Sequence, residues 1–219
     1  MPATPRRRTR ERILESALRL FNDFGEPNVA TTAIAADLRI SPGNLYYHFH
    51  TKDEIVTALF EDYEREIEHL LSPPSRRPAT AEDIWFYLHL VFEIIWKYRF
   101  FYRDINDLLT RNRVVETHFQ RILAHKVQTG KAICEGLAAS GMLRASRAEI
   151  EALATNMTVV ATFWLSYEHA RNPRNAGHGG VPPDIGRGAY QVISLAAPYL
   201  QGEARRLLEQ ISAAYVGKE

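Results

Sequence analysis

From Ser41 to Phe49 the chain reads Ser-Pro-Gly-Asn-Leu-Tyr-Tyr-His-Phe, a run that gathers hydrogen-bonding groups suited to nucleic acid. At about 100° per residue, a helix that turns Leu45 and Phe49 inward turns Gly43 and Tyr47 almost directly outward. Asn44 then lies beside them, with Tyr46 and His48 on the flanks. An amide reads base edges in a major groove, a phenol reaches bases or phosphates, and a glycine allows close backbone approach. An ordinary solvated helix face would be rich in Lys and Glu, whereas this one is aromatic. Other spacings point to chemistry less well. Glu66-x-x-His69 has the spacing of half a di-iron bundle site, but the second copy and its partner carboxylates are missing. A surface helix pair is the simpler reading. His178-Gly179-Gly180 is similar to an esterase oxyanion loop, yet no Gly-x-Ser-x-Gly elbow accompanies it. No zinc helix, P-loop or paired-cysteine spacing occurs. Cys134 has no flanking charge pattern of an activated thiolate and reads as a small buried residue. No catalytic role, metal or cofactor is expected.

The outward-facing run needs a scaffold. Ile34, Ala35 and Leu38 share one helical stripe, while Leu45 and Phe49 recur at i, i+4 on the next. Ser41 suits an N-cap and Pro42 the first helical position, where a missing amide hydrogen costs nothing. Two apolar stripes joined by so short a turn are buried by crossing each other, which is a helix-turn-helix. A preceding helix is expected over Thr9 to Phe24, with Ile13, Ala17, Leu20, Phe21 and Phe24 inward and Gly25 as its stop. A following helix is expected from Asp53 and Glu54 to about Leu71, its acidic residues at the positive end of the dipole.

This segment resembles the TetR family of bacterial transcriptional regulators from Thr9 to about Leu71, through Thr31-Thr32-Ala33-Ile34-Ala35, the Ser41–Phe49 run and Lys52. The resemblance implies that Thr32, Tyr46, Tyr47, His48 and Lys52 hold phosphates or bases, that Gly43 and Asn44 lie at base edges, and that Ser41 belongs to the same contact set. Two positions depart from the family's pattern. Arg39 stands where the turn usually has glycine, so a residue with a Cβ is expected at positive φ. Pro42 stands where lysine often opens the reading helix, which removes one contact.

Three prolines within Ser72–Pro78 break the helical pattern. The expected organisation is all-α: a helix-turn-helix domain at 1–52, a connecting helix and linker at 53–77, and a larger helical domain at 78–219. Beyond the break the chain turns aromatic. Ile84, Leu88, Val91, Ile95 and Tyr98 form one stripe, and Trp85, His89, Phe92 and Trp96 a second, so this helix is enclosed on most sides. Such a helix suits either a cavity for an apolar or amphipathic ligand or a solid aromatic core, and periodicity leaves both open. The family resemblance favours the cavity and names Trp85, His89, Phe92, Trp96, Tyr102, Asn106, Phe163 and Tyr167 as candidate walls for a small-molecule effector. Helices at about 147–171 and 183–200, with small Gly186, Gly188, Ser194 and Ala197, suit a four-helix homodimer interface or packing within the chain. Dimerisation is favoured because two reading helices one DNA turn apart recognise a palindrome.

The 219 residues are 46% hydrophobic and 24% charged, which fits a globular protein with a sizeable core. The net charge is only +1, but residues 1–12 hold five arginines against one glutamate. Such an arm either tracks phosphates or is simply solvated, and DNA binding should weaken with salt. The single cysteine suits a reducing cytosol. No apolar run nears the ~20 residues that span a bilayer, and no apolar segment follows the basic start as in a signal peptide. The expectation is a cytoplasmic, homodimeric, ligand-responsive repressor on double-stranded operator DNA, away from membranes. The alternative is a hydrophobic-ligand carrier that does not use DNA.

Overall fold

The computed structural model describes residues 5–71, 81–172 and 185–216. The proline-rich boundary at 72–78, the glycine-bearing stretch of 173–183 and the side chains of Arg6 and Arg7 lie outside the described residues. The elements in chain order are α1 (Pro5–Phe24), a 3₁₀ turn (Glu26–Asn28), α2 (Thr31–Asp37), α3 (Pro42–His48), α4 (Lys52–Leu71), α5 (Ala81–Lys97), α6 (Arg99–Arg103), α7 (Ile105–Arg111), α8 (Arg113–Ala139), α9 (Arg147–Arg171), α10 (Ile185–Ser194) and α11 (Gly202–Val216). Among the described residues the only β pairing is an isolated bridge between Leu143 and Leu200.

The N-terminal helices close over one small core. Ile13, Ala17 and Phe21 of α1, Ile34 of α2, Leu45 of α3 and Ile55 of α4 are fully or almost fully buried together. Asp37 locks the end of α2 to α1, accepting from Ser16 Oγ at 2.6 Å and from Arg19 Nη2 at 2.5 Å. Those two donors hold its carboxyl below the usual carboxylate range. The helix starts at Pro5, four residues before the expected Thr9. Arg8, Arg10 and Arg12 are therefore exposed positions on α1 rather than members of a separate arm. Phe24, expected inward, is exposed, because α1 ends there and Gly25 at φ 85° turns the chain away.

This head is bonded into the rest of the protein. Asn22 donates to Lys97 O at 2.9 Å and accepts from Phe100 N at 3.1 Å, and Arg103 donates to Phe21 O at 2.9 Å. Glu26 is fully buried between two cations, Lys52 and Arg111, and Arg111 also reaches Asp53 at 2.9 Å. A buried carboxylate is tolerable only when paired in this way. The 3₁₀ turn, the start of α4 and the end of α7 thus meet at one buried charge.

In the larger part, α8 runs along α9, α4 packs on α5 and α8, and α10 fits against α5 and α9. Gly188 permits that last contact. A Cβ there would come within 2.5 Å of the Phe92 ring and 2.8 Å of the Trp164 indole. Its smallness serves packing within the chain. The helix expected over 183–200 stops at Ser194 and continues as turns to Leu200. Pro198 accounts for this, since its ring cannot follow the carbonyl of Ser194 in a helix.

Candidate DNA interface and effector cavity

The reading unit is built from local chemistry. At the end of α2, Ile40 N bonds Ala35 O at 3.0 Å and Arg39 N bonds Ala36 O at 3.1 Å, the two bonds of a Schellman motif. The motif demands a left-handed residue, and Arg39 supplies it at φ 55°, as its place in the turn led us to expect. Ser41 then caps α3, its Oγ accepting from Asn44 N at 3.2 Å, with Pro42 behind it.

With Leu45 and Phe49 buried, the opposite face stands in solvent. Gly43 and Asn44 are exposed, and Tyr46 and Tyr47 retain 45% and 61% of their accessible surface. Large aromatic side chains left so open on a seven-residue helix mark a surface suited to a binding partner. His48 is half-buried and meets the Tyr47 ring edge-on, centroids 5.3 Å apart. Thr32 lies exposed on α2 and Ser41 at the mouth of α3. The Arg10 guanidinium stacks 5.0 Å from the Phe49 ring centroid and adds positive charge beside this face. Lys52 departs from its expected role. Its Nζ donates to Glu26 O at 3.0 Å and pairs with the Glu26 carboxylate, so it serves the head–body junction.

The aromatic residues of the larger domain form a solid core. Phe60, Tyr63, Phe101, Tyr102 and Phe119 pack edge to face, with Phe60–Phe101 centroids 5.4 Å and Tyr63–Tyr102 centroids 6.0 Å apart. The cavity lies beside this core and is aliphatic. It measures about 90 Å³ and is enclosed by Leu88, Val91, Ile133, Leu137, Met157 and Leu208, among others, from α5, α8, α9 and α11. None of the eight aromatic and polar candidates is among its walls. Phe163 and Tyr167 point outward from α9, Asn106 is exposed, and Trp96 covers the Arg99 guanidinium at 4.5 Å. Trp85 and His89 stack on each other at 4.3 Å, and Phe92 closes on Gly188. Tyr102 is fully buried and touches the cavity only through its neighbour Lys126.

Among the described residues, Lys126 is the one charged side chain in the cavity wall. It is only 7% exposed, and its Nζ donates to Tyr102 Oη at 3.2 Å. Tyr102 Oη in turn lies 2.6 Å from Tyr63 Oη on α4. Burial pushes the ammonium down to about 7 and pushes both phenols up, so the phenols stay neutral. Nothing in the spacing around Lys126 marks it: on α8 it reads as one more solvated lysine. The hydrogen-bonded chain Lys126–Tyr102–Tyr63 links the cavity wall to α6 and to α4.

Comparison with known proteins agrees with this architecture. A family model of bacterial regulatory proteins of the tetR family matches residues 13–59, and the TetR bacterial transcriptional repressor model matches residues 62–208. A TetR-family transcriptional regulator from Marinobacter aquaeolei is 36% identical and superposes with a TM-score of 0.84, over 94% of this chain and 98% of that one. A putative transcriptional regulator from Saccharomonospora viridis, solved with choline, shares the fold at 18% identity and a TM-score of 0.66, over 90% of this chain and 100% of its own. The HTH-type transcriptional regulator UidR of Escherichia coli K12 is 36% identical over 66 residues, which are 30% of this chain. That match spans 34% of UidR's own length, about a third. A helix-turn-helix head matched by one family model and a helical body matched by the other together make this chain a member of the TetR family of transcriptional regulators.

Proposed function

We propose that this regulator is a homodimeric repressor that leaves a palindromic operator when a small apolar or amphipathic effector enters the α5–α8–α9–α11 cavity. The observation that carries the DNA half is the outward face of α3, where Gly43, Asn44, Tyr46 and Tyr47 stand clear of a filled core. Asn44 would read a base edge, the two tyrosines bases or phosphates, and Thr32, Ser41 and His48 the flanking backbone. Arg10 and its neighbours on α1 would add the salt-dependent attraction.

Pairing of two heads is supported by α9, which is apolar on both sides. Val159, Phe163 and Tyr167 recur at i, i+4 and i+8 on its outer face and are about half exposed. A row of this kind suits a second copy of the same helix. Effector response is supported by the route from the cavity to the head. Lys126 reaches Tyr63 on α4 through Tyr102, and α6, which carries Tyr102, is bonded to α1 through Phe100 and Arg103. An effector favouring one arrangement of α4 and α6 would re-space the two heads, by no more than its difference in affinity for the two states. The choline bound by the Saccharomonospora viridis relative is a cation and would meet Lys126 unfavourably here.

Fluorescence anisotropy of the full chain on a labelled duplex from upstream of its own gene tests this reading. Saturable binding that weakens steeply with salt and is reversed by an apolar acid or alcohol is expected. Equal, weak affinity for every duplex would remove the operator reading and leave a ligand carrier.

A further inference from the structure

Building on the effector reading above, we propose that the effector is a monocarboxylic acid with an apolar body, its carboxylate seated on Lys126 Nζ and its body in the aliphatic cavity. Three observations carry this. First, among the described residues the side chains of the cavity wall are hydrocarbon apart from Lys126, Tyr87, Thr158 and the weakly polar Cys134, and the Thr158 hydroxyl is already committed to Ala154 O at 3.0 Å. Second, Lys126 is almost wholly buried, yet among the described residues no carboxylate is paired with it, whereas the other deeply buried charge, Glu26, has two cationic partners. A buried ammonium without a counter-charge is costly, and a ligand that brings the missing charge removes that cost. A cation would be repelled, and a neutral ligand would leave the ammonium as it was. Third, the same Nζ holds Tyr102 Oη. A carboxylate arriving there competes for the bond that ties α8 to α6 and, through Tyr63, to α4. The acid head would therefore bear on the elements that carry the DNA-reading unit, while the apolar tail supplies affinity.

Among the described residues, the other titratable side chains of the cavity wall are Tyr87 and Cys134. Tyr63 on α4, Tyr87 on α5 and Tyr102 on α6 are pushed up by burial, and Cys134 on α8 is pushed up to about 11. Among the described residues, the walls from α9, α10 and α11 are aliphatic apart from Thr158 and carry no titratable group. On the far side of α4, Glu64 and Glu68 are paired with His118 and His125 of α8, 2.8 Å and 2.6 Å away. With the free ammonium near 7, binding a carboxylate at pH 8 should draw a proton into the protein.

The test is calorimetric titration of the full chain with hexanoate and octanoate against hexanol and octanol, in two buffers of different ionisation enthalpy, on the wild type and on Lys126→Met and Lys126→Gln. The acids should bind at least tenfold tighter than the matched alcohols at pH 7, with proton uptake at pH 8. Both variants should lose that preference and the uptake while keeping alcohol binding. Alcohols binding as well as acids to the wild type, or an acid preference surviving in both variants, would overturn the proposal and leave the cavity as an effector site. Binding of neither class would overturn the cavity reading as well.

Discussion

The DNA-reading head and the effector cavity use burial in opposite ways. In the head the inward side chains, Ile13, Phe21, Ile34, Leu45 and Ile55 among them, fill a core, and the proposed DNA-contacting groups, Asn44, Tyr46 and Tyr47, are left outside. In the larger domain the working group, Lys126, is kept inside beside space that no side chain fills. A surface that meets DNA has to be rigid before the partner arrives, because ordering it on binding would subtract from affinity. A site that must report on a small molecule needs slack and an unsatisfied group, since only a state that the ligand changes can be read elsewhere. A polar junction, Asn22, Arg103 and the Glu26–Lys52–Arg111 cluster, bonds the head to the larger domain.

The sharpest way to break this comparison is a matched pair of truncations. Leu45 is 1% exposed in the head core, and Leu137 is 7% exposed in the cavity wall. Leu45→Ala should cost about 3–5 kcal/mol, because it opens a void in a solid core. Leu137→Ala should cost about 2 kcal/mol, because part of that side chain already faces empty space and has fewer contacts to lose. Urea denaturation of both variants checks this. Equal losses would mean that the cavity wall is as tightly filled as the head.

Lys126 offers the next largest effect, and its sign depends on pH. Burial pushes its ammonium down to about 7 in the folded chain, from about 10.5 for a lysine in water. Below pH 7 the ammonium is charged in both states and the folded protein bears the full burial cost. As pH rises from 7 toward 10.5 the unfolded chain holds the extra proton, so wild-type stability climbs. Lys126→Met should therefore stabilise the ligand-free protein by about 2–4 kcal/mol below pH 7, with the gain fading toward pH 10. Thermal denaturation across that range reads it, and a gain independent of pH would point to packing rather than charge.

On the head's outer face, Tyr47→Ala should leave stability nearly unchanged and weaken operator binding by about 1–3 kcal/mol if the phenol contacts a base. Unchanged anisotropy would strike Tyr47 from the contact set. The same contrast governs what the sequence disclosed. The head was legible because its determinants are local: the i, i+4 spacing of Leu45 and Phe49, the Ser41 cap and the glycine position filled by Arg39. The cavity was not, because helices far apart in sequence assemble it. Phe163 and Tyr167 were expected inside, but α9 is apolar on both sides and spacing alone does not say which side meets the core. Lys126 sits between His125 and Val127 like any surface lysine, and only the closure of Tyr63 and Tyr102 over it makes it a buried charge.

Arg39 carries the smallest and most local expectation. At φ 55° it holds the left-handed corner between α2 and α3, and a residue with a Cβ is strained there by roughly 1 kcal/mol. Glycine would relieve that strain, but it also gives the unfolded chain more freedom to lose, which offsets about 0.4–1 kcal/mol. Arg39→Gly should therefore change stability by less than about 0.5 kcal/mol in either direction. Arg39→Ala keeps the strain and both variants remove the charge, so an effect that the two share belongs to the guanidinium. If both weaken operator binding alike and flatten its salt dependence, Arg39 is a phosphate contact at the turn. If neither does, the arginine is a tolerated substitute in a corner whose shape is dictated by the Ala35 and Ala36 carbonyls it must cap.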